Sequence, residues 1–286
     1  MTNGKKNLRP FVLAIILSLL FVYLAAPPCA VSAEHSRVRT DFIFAVIPQK
    51  PPEVMWKIWE PFIERLSRDT GLNIGLKVYE NMNDFENDLK EGRVGFAYMN
   101  PVQEITAWNT QGYIPLVRNS KLIKGEIFVR RDSGLTGIND LAGKQISFIG
   151  TQNVCSVVLQ KNLQKLNITP HYVGSSSNVY KAVTIGDTVA GGTLDIAFEA
   201  DASDAKTVLQ SIYSTPPLSS HPIAAHPTVS VETRQMVMET VLRYTQSKEG
   251  QILLKSIKMP DPVTADYSND YKPLAQLLSS PPEQAR

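Results

Sequence analysis

Amides, hydroxyls and carboxylates, rather than a nucleophile, are the groups this chain places where chemistry could be done. Glu199 and Asp201 close an apolar run two residues apart. Such a pair can exchange a proton or receive an ammonium or hydroxyl on a ligand, and it can equally supply one helix cap and one solvated charge. Thr151, Gln152 and Asn153 precede a helical pattern and offer hydrogen-bond donors beside its amino end, where backbone N–H groups and a partial positive charge favour an anion. Asn100 stands before Pro101 at a second helix start, where it can cap the helix or touch a ligand. Ser175, Ser176 and Ser177 open a third helix on the same terms.

Other chemistry lacks its residues. The four histidines show no metal-ligand spacing, and there is neither a Gly-x-x-x-x-Gly-Lys-Ser/Thr loop nor a Gly-x-Ser-x-Gly elbow. Cys155 has no enzyme signature around it, and the next histidine is His171, so the thiol reads as a small buried side chain. Arg130, Arg131 and Asp132 read as a solvated turn, and Trp56, Trp59 and Trp108 as core residues.

The elements that must position these groups alternate. Asp41–Ile47 is apolar enough for a strand buried on both faces, and Pro48–Pro52 forms a stiff loop. A helical stripe of Trp56, Trp59, Phe62, Ile63 and Leu66 ends at Gly71, with Pro61 either a kink or a first-turn residue. Strands follow at Leu72–Tyr79 and Val94–Tyr98, separated by a charged helix over Asn83–Lys90, and a further helix runs from Val102 to Asn109. Such alternation predicts parallel strands with crossover helices. Two apolar runs, Ile127–Val129 and Ile146–Ile149, predict a strand, one helical turn stopped by Gly143, and a new parallel strand. Beyond them the pattern gives a helix over Asn153–Leu166, strands at Pro170–Val173 and Leu194–Phe198, a return strand within Ser219–His226, and a helix over Val231–Arg243 that Ser230 can cap. Helices near Lys248–Ile257 and Lys272–Ser279 complete the chain.

Length and composition agree with two modest globular lobes: 286 residues, 43% hydrophobic and 20% charged. Residues 1–33 read as a secretory signal, with a basic start, the apolar run Phe11–Ala26, and Val31-Ser32-Ala33 before a cleavage point at Glu34. The 16-residue apolar run is shorter than the ~18 to 20 residues that span a bilayer comfortably. Pro27 and Pro28 argue against lipidation of Cys29. Taking Lys5, Lys6 and Arg9 from the 29 basic residues leaves 26 against 27 acidic ones, a balance not built for nucleic acid. Only Cys155 remains after cleavage, so no internal disulfide can form.

Three phrases carry a resemblance. Asp140-Leu141-Ala142-Gly143-Lys144 before an alternating strand, Gly92-Arg93-Val94 leading to Asn100-Pro101, and Val189 to Asp195 before a strand resemble the extracytoplasmic solute-binding proteins of ABC importers, above all those for phosphonate, phosphite and phosphate. The resemblance covers nearly all of the chain after the signal. It implies a two-lobed α/β fold of the type II periplasmic-binding class, each lobe a mostly parallel sheet flanked by helices, with a ligand cleft between. Residues 34–122 and 214–286 would form one lobe and 123–213 the other, hinged near Ser120–Gly125 and Ser214–Ser220. The implied function is capture of a small oxyanion or zwitterion by hinge closure, for delivery to an ABC permease. A ligand-sensing subunit that reports to a membrane histidine kinase is the alternative.

The expected ligand set is Pro48, Gln49, Tyr98, Asn100, Thr151, Gln152, Asn153, Ser175, Ser176 and Glu199, with no catalytic residue, metal or cofactor. A monomer that meets the membrane only through a partner is expected. This chain departs from the family in three places. Gly95 replaces a usual aspartate, and Asn153-Val154-Cys155-Ser156 replaces a hydroxyl-rich anion grip. A histidine after a Gly-Ser pair is also missing near Gly174-Ser175. Weaker phosphonate binding than the family norm follows, since each lost charge-assisted hydrogen bond costs on the order of 1.5 to 3 kcal/mol.

Overall fold

A computed structural model describes Met1, residues 41–199 and residues 204–280. The expected signal segment, its cleavage point, Cys29 and Asp201 lie outside the described residues.

The amino-terminal part builds β1 (Phe42–Val46), α1 (Pro52–Thr70), β2 (Ile74–Lys77), α2 (Met82–Lys90), β3 (Phe96–Tyr98), α3 (Pro101–Gln111) and β4 (Ile114–Asn119). The chain then makes β5 (Gly125–Arg130), a 3-10 turn at Ile138–Leu141, β6 (Gln145–Phe148), α4 (Val154–Asn162), β7 (Thr169–Tyr172), α5 (Ser176–Ile185), β8 (Ala190–Leu194), α6 (Asp195–Glu199), α7 (Ala205–Val208) and β9 (Leu209–Ser214). It returns through β10 (Pro222–Ala225), α8 (Val231–Arg243), α9 (Lys248–Ser256), β11 (Pro262–Thr264), a π-helical turn at Tyr267–Tyr271, and α10 (Lys272–Ser279).

These strands form two sheets, ordered β11-β4-β10-β3-β1-β2 and β7-β6-β8-β5-β9. Each marks one lobe of a two-lobed α/β fold. Both sheets are mixed, which corrects the expectation of mostly parallel ones. The βαβ segments are parallel, with β1 between β2 and β3 and β6 between β7 and β8. Strands that carry the chain between lobes run the other way: β10 opposes β3 and β4, and β5 opposes β8 and β9. The second apolar run is therefore not a parallel partner of the first, because β8 separates β5 from β6 and opposes only β5. The turn between them does end at Gly143, whose φ of +67° suits glycine.

α1 buries Met55, Trp59, Phe62, Ile63 and Leu66. Trp56 is 40% exposed, which moves the expected stripe by one position. Pro61 sits inside a continuous helix, and Gly71 at φ +71° ends it. Trp59 and Phe62 meet edge-on at 5.7 Å and join Phe44, Phe96 and Tyr98 in the first lobe's core. Aromatic pairs of this kind add about 0.5–1.5 kcal/mol to the area they bury. The second lobe's core gathers Ile127, Ile146, Phe148, Cys155 and Leu159. A third cluster joins the lobes, with Ile105 on α3, Val154 and Val158 on α4, and Tyr271 and Leu274 near the carboxyl end.

The strand expected at Leu194–Phe198 is instead β8 at Ala190–Leu194, and Asp195–Glu199 is helical. Gly191 and Gly192 look like turn residues in sequence but lie within the strand. A Cβ on Gly192 would stand 2.6 Å from Phe148 and 2.7 Å from Leu159, so glycine permits this close approach. The two interlobe connections are paired, Ile123 and Leu218 exchanging backbone hydrogen bonds of 2.9 and 2.8 Å.

Candidate functional site

The carboxyl ends of β1, β3 and β6 and the start of β10 open onto the space between lobes, the place where open α/β sheets hold ligands. On the first lobe, Pro48 is half-buried and Gln49 exposed in the loop after β1. Gln49 Nε2 lies 3.3 Å from His221 Nε2. The His221 ring stacks on Tyr98 at 5.6 Å, and Tyr98 in turn packs on Trp59 at 4.7 Å. Burial pushes His221 down to about 4, so its imidazole is neutral near pH 7. With the Gln49 amide donating, Nε2 accepts and the ring proton sits on Nδ1.

Asn100 is buried and caps α3: its Oδ1 accepts from Val102 and Gln103 N–H, both at 2.9 Å. Gln103 Oε1 accepts from the Asn100 N–H at 3.1 Å, completing a capping box. That leaves Asn100 Nδ2, which donates to the Gln152 carbonyl of the second lobe at 3.4 Å. Capping and cleft contact thus fall to opposite ends of one amide.

Asn153 repeats the arrangement on α4, where its Oδ1 accepts from Cys155 and Ser156 N–H at 3.0 and 3.3 Å. At both helix starts the N–H groups of the second and third helical residues are therefore already bonded. Gln152 donates through Nε2 to Glu86 Oε2 at 2.9 Å. Thr151 is exposed beside it. Both line a cavity of about 220 Å³, together with Glu86, Gln103, Thr106 and Val157.

Three expected residues are engaged otherwise or stand apart. Ser175 caps α5 by accepting from Asn178 N–H at 3.2 Å, and half-buried Ser176 follows it as the first residue of that helix. Glu199 is exposed and pairs at 2.7 Å with Lys121, on the connection from the first lobe, which holds its carboxyl below the usual range. Sequence reasoning missed Glu86, Gln103 and His221. Gln103 carried a signal, the Asn-x-x-Gln spacing of a capping box. His221 was read only as part of a return strand, and nothing local marks Glu86. Among the described residues no His, Cys, Asp and Glu group could hold a metal ion. Cys155 is fully buried, and burial pushes its thiol up, away from nucleophilic use.

Residues 44–271 match the family described as ABC transporter, phosphonate, periplasmic substrate-binding protein. The chain belongs to this family. Members are transport components that bind a solute, not an enzyme class. Solved structures share the fold of this phosphonate-type binding protein. XAC2383 from Xanthomonas citri, bound to a chloride ion, superposes with a TM-score of 0.72 at 14% identity, over 83% of this chain and 96% of the other. A binding-protein component of an ABC phosphonate transporter from Pseudomonas aeruginosa gives 0.67 at 14% identity, over 82% and 84%. The Prochlorococcus marinus protein PhnD1, in complex with methylphosphonate, gives 0.70 at 13% identity, over 82% and 96%. At such identities the likeness concerns the fold. No curated protein matches the chain.

Proposed function

We propose that this phosphonate-type binding protein captures a small oxyanion or zwitterion, of the phosphonate or phosphate class, between its lobes and delivers it to an ABC permease. The carrying observation is the direct approach of the two Asn-capped helix starts, where Asn100 Nδ2 meets the Gln152 carbonyl at 3.4 Å. A solute placed there contacts both lobes at once, so its binding energy favours the closed form. The methylphosphonate complex of the Prochlorococcus marinus relative supports the ligand class.

In this reading residues 34–122 and 214–286 move against 123–213, hinged at the connections that Ile123 and Leu218 pair. The ligand set is the one expected from sequence, with His221 added. The exported chain starts at Glu34, which mass spectrometry of the native protein checks directly. Calorimetry across phosphate, phosphite, methylphosphonate, 2-aminoethylphosphonate, sulfonates and small carboxylates tests the ligand class. Small-angle scattering with the best ligand should show compaction. No binding across that panel, or no compaction at proven saturation, overturns the reading.

A further inference from the structure

Residues 265–280 follow the edge strand of the first sheet but do not stay on that lobe. β11 pairs with β4, and the Ala265 N–H donates to the Leu116 carbonyl at 3.0 Å, so the segment starts fixed to the first lobe. Tyr267 then stacks on Trp108 of α3 at 4.0 Å. From there the segment crosses both connections between the lobes. One Asp270 oxygen accepts from Arg118 Nε at 2.8 Å, near the end of β4 and ahead of the first connection, and from Ser219 Oγ of the second at 3.0 Å. Tyr271 is fully buried, and its hydroxyl donates to the Ser220 carbonyl at 3.0 Å, while Ser220 Oγ donates to the Asn119 carbonyl at 2.9 Å.

The segment ends on the second lobe. Tyr271 and Leu274 share a buried cluster with Val154 and Val158 of α4, and Lys161 Nζ donates to the Ser280 carbonyl just past the end of α10. Val154, Val158 and Lys161 are spaced by four and three residues, which places them on one face of α4. A cation at a helix carboxyl end also meets the favourable end of its dipole. Since α4 begins at Asn153, directly after Gln152, the helix that starts at the expected ligand contacts is docked along one face to a segment rooted in the other lobe. Rotation of the second lobe about the paired Ile123 and Leu218 must shear α4 along this segment or pull the segment from Arg118 and Trp108. Close-packed side chains fit in discrete arrangements rather than sliding freely. In the arrangement where Asn100 meets the Gln152 carbonyl, the fit is tight, with Val154 and Val158 at most 2% exposed and Leu274 4%.

We infer that residues 265–280 act as a strap across the hinge, which favours the arrangement in which Asn100 meets Gln152 and so raises the affinity of the cleft for its solute. This rests on the reading of the protein as a hinged binder.

Leu274→Ala removes the side chain that the strap packs into the interlobe cluster. Lys161→Ala cuts only the tie at the far end, from a half-buried position, and should leave the melting temperature unchanged. Both variants should enlarge the radius of gyration of the ligand-free protein. Methylphosphonate binding should weaken by about fivefold or more in Leu274→Ala and by about two- to threefold in Lys161→Ala. A residue that only packs would lower the melting temperature without moving either readout. Radius and affinity at wild-type values in both variants overturn the strap and leave the proposed function standing; if Leu274→Ala does not fold, Lys161→Ala decides on the same terms. A wild-type protein that does not compact at proven saturation overturns the hinged reading and the strap with it.

Discussion

Gln152, ahead of α4, donates its side-chain amide to Glu86 on α2 at 2.9 Å, and the other Glu86 oxygen accepts from Gln103 at 3.1 Å. One carboxylate thereby holds a donor from each lobe. Gln152→Ala removes the cross-lobe bond and should favour the open form by about 1–2 kcal/mol. Scattering of the ligand-free variant should give a larger radius of gyration, and calorimetry a loss of affinity of up to about tenfold. Unchanged values in both would show that the contact does not restrain the lobes.

Glu104 is fully buried on α3, and neither carboxylate oxygen has a hydrogen-bond partner among the described residues. Burial pushes it from an ordinary 4.5 up to about 8, so the folded protein binds this proton more tightly than the unfolded chain. The stability it contributes is fully present below about 4.5 and is lost as pH climbs towards 8, amounting to roughly 3 to 5 kcal/mol over that window. Glu104→Gln cannot ionise. Denaturation at a series of pH values should show the variant's stability falling less steeply than the wild type's; parallel curves would contradict the assignment.

Asn153→Ala removes the α4 cap and should cost about 1 kcal/mol in thermal or urea unfolding. Asn153→Asp keeps an acceptor for Cys155 and Ser156 N–H, so stability should stay within a few tenths of a kcal/mol. Its added charge stands next to Gln152, whose carbonyl meets Asn100 of the other lobe, and should weaken oxyanion binding. Equal loss of stability in both variants would mean that the cap bond contributes little.

Gly192→Ala places a methyl group 2.6 Å from Phe148 and 2.7 Å from Leu159. Overpacking of a closed core costs about 1–3 kcal/mol, read as a lower urea midpoint with the slope retained. A midpoint equal to the wild type's would mean that the β8 neighbours relax freely.

Cys155 should resist a thiol-reactive dye in the native protein and react at once in denaturant, since burial both excludes the reagent and suppresses the thiolate. Rapid labelling under native conditions would place the thiol at an accessible site.

The sequence by itself determined the order and nature of most elements, because apolar periodicity and caps are local properties. The stretch from Phe42 to Gln111 alternates strand and helix as its pattern requires, Gly71 and Gly143 stop their segments, and Asn100, Ser175 and Ser230 cap the helices they precede. The family resemblance was legible too, since its phrases lie at strand ends and turns. Strand direction was not. Whether β6 pairs with β5 depends on β8, more than forty residues further on, threading between them. Gly191 and Gly192 lie inside β8 for the same reason, the missing side chain at Gly191 making room for Val179 and Ser147 and that at Gly192 for Phe148 and Leu159. The candidate site divides along this line. Helix starts are written locally, whereas the meetings of Gln152 with Glu86 and of Gln49 with His221 join residues 66 and 172 positions apart. Only the packed sheets bring such groups within hydrogen-bond reach, and only there does burial neutralise His221 and leave Glu104 without a hydrogen-bond partner among the described residues.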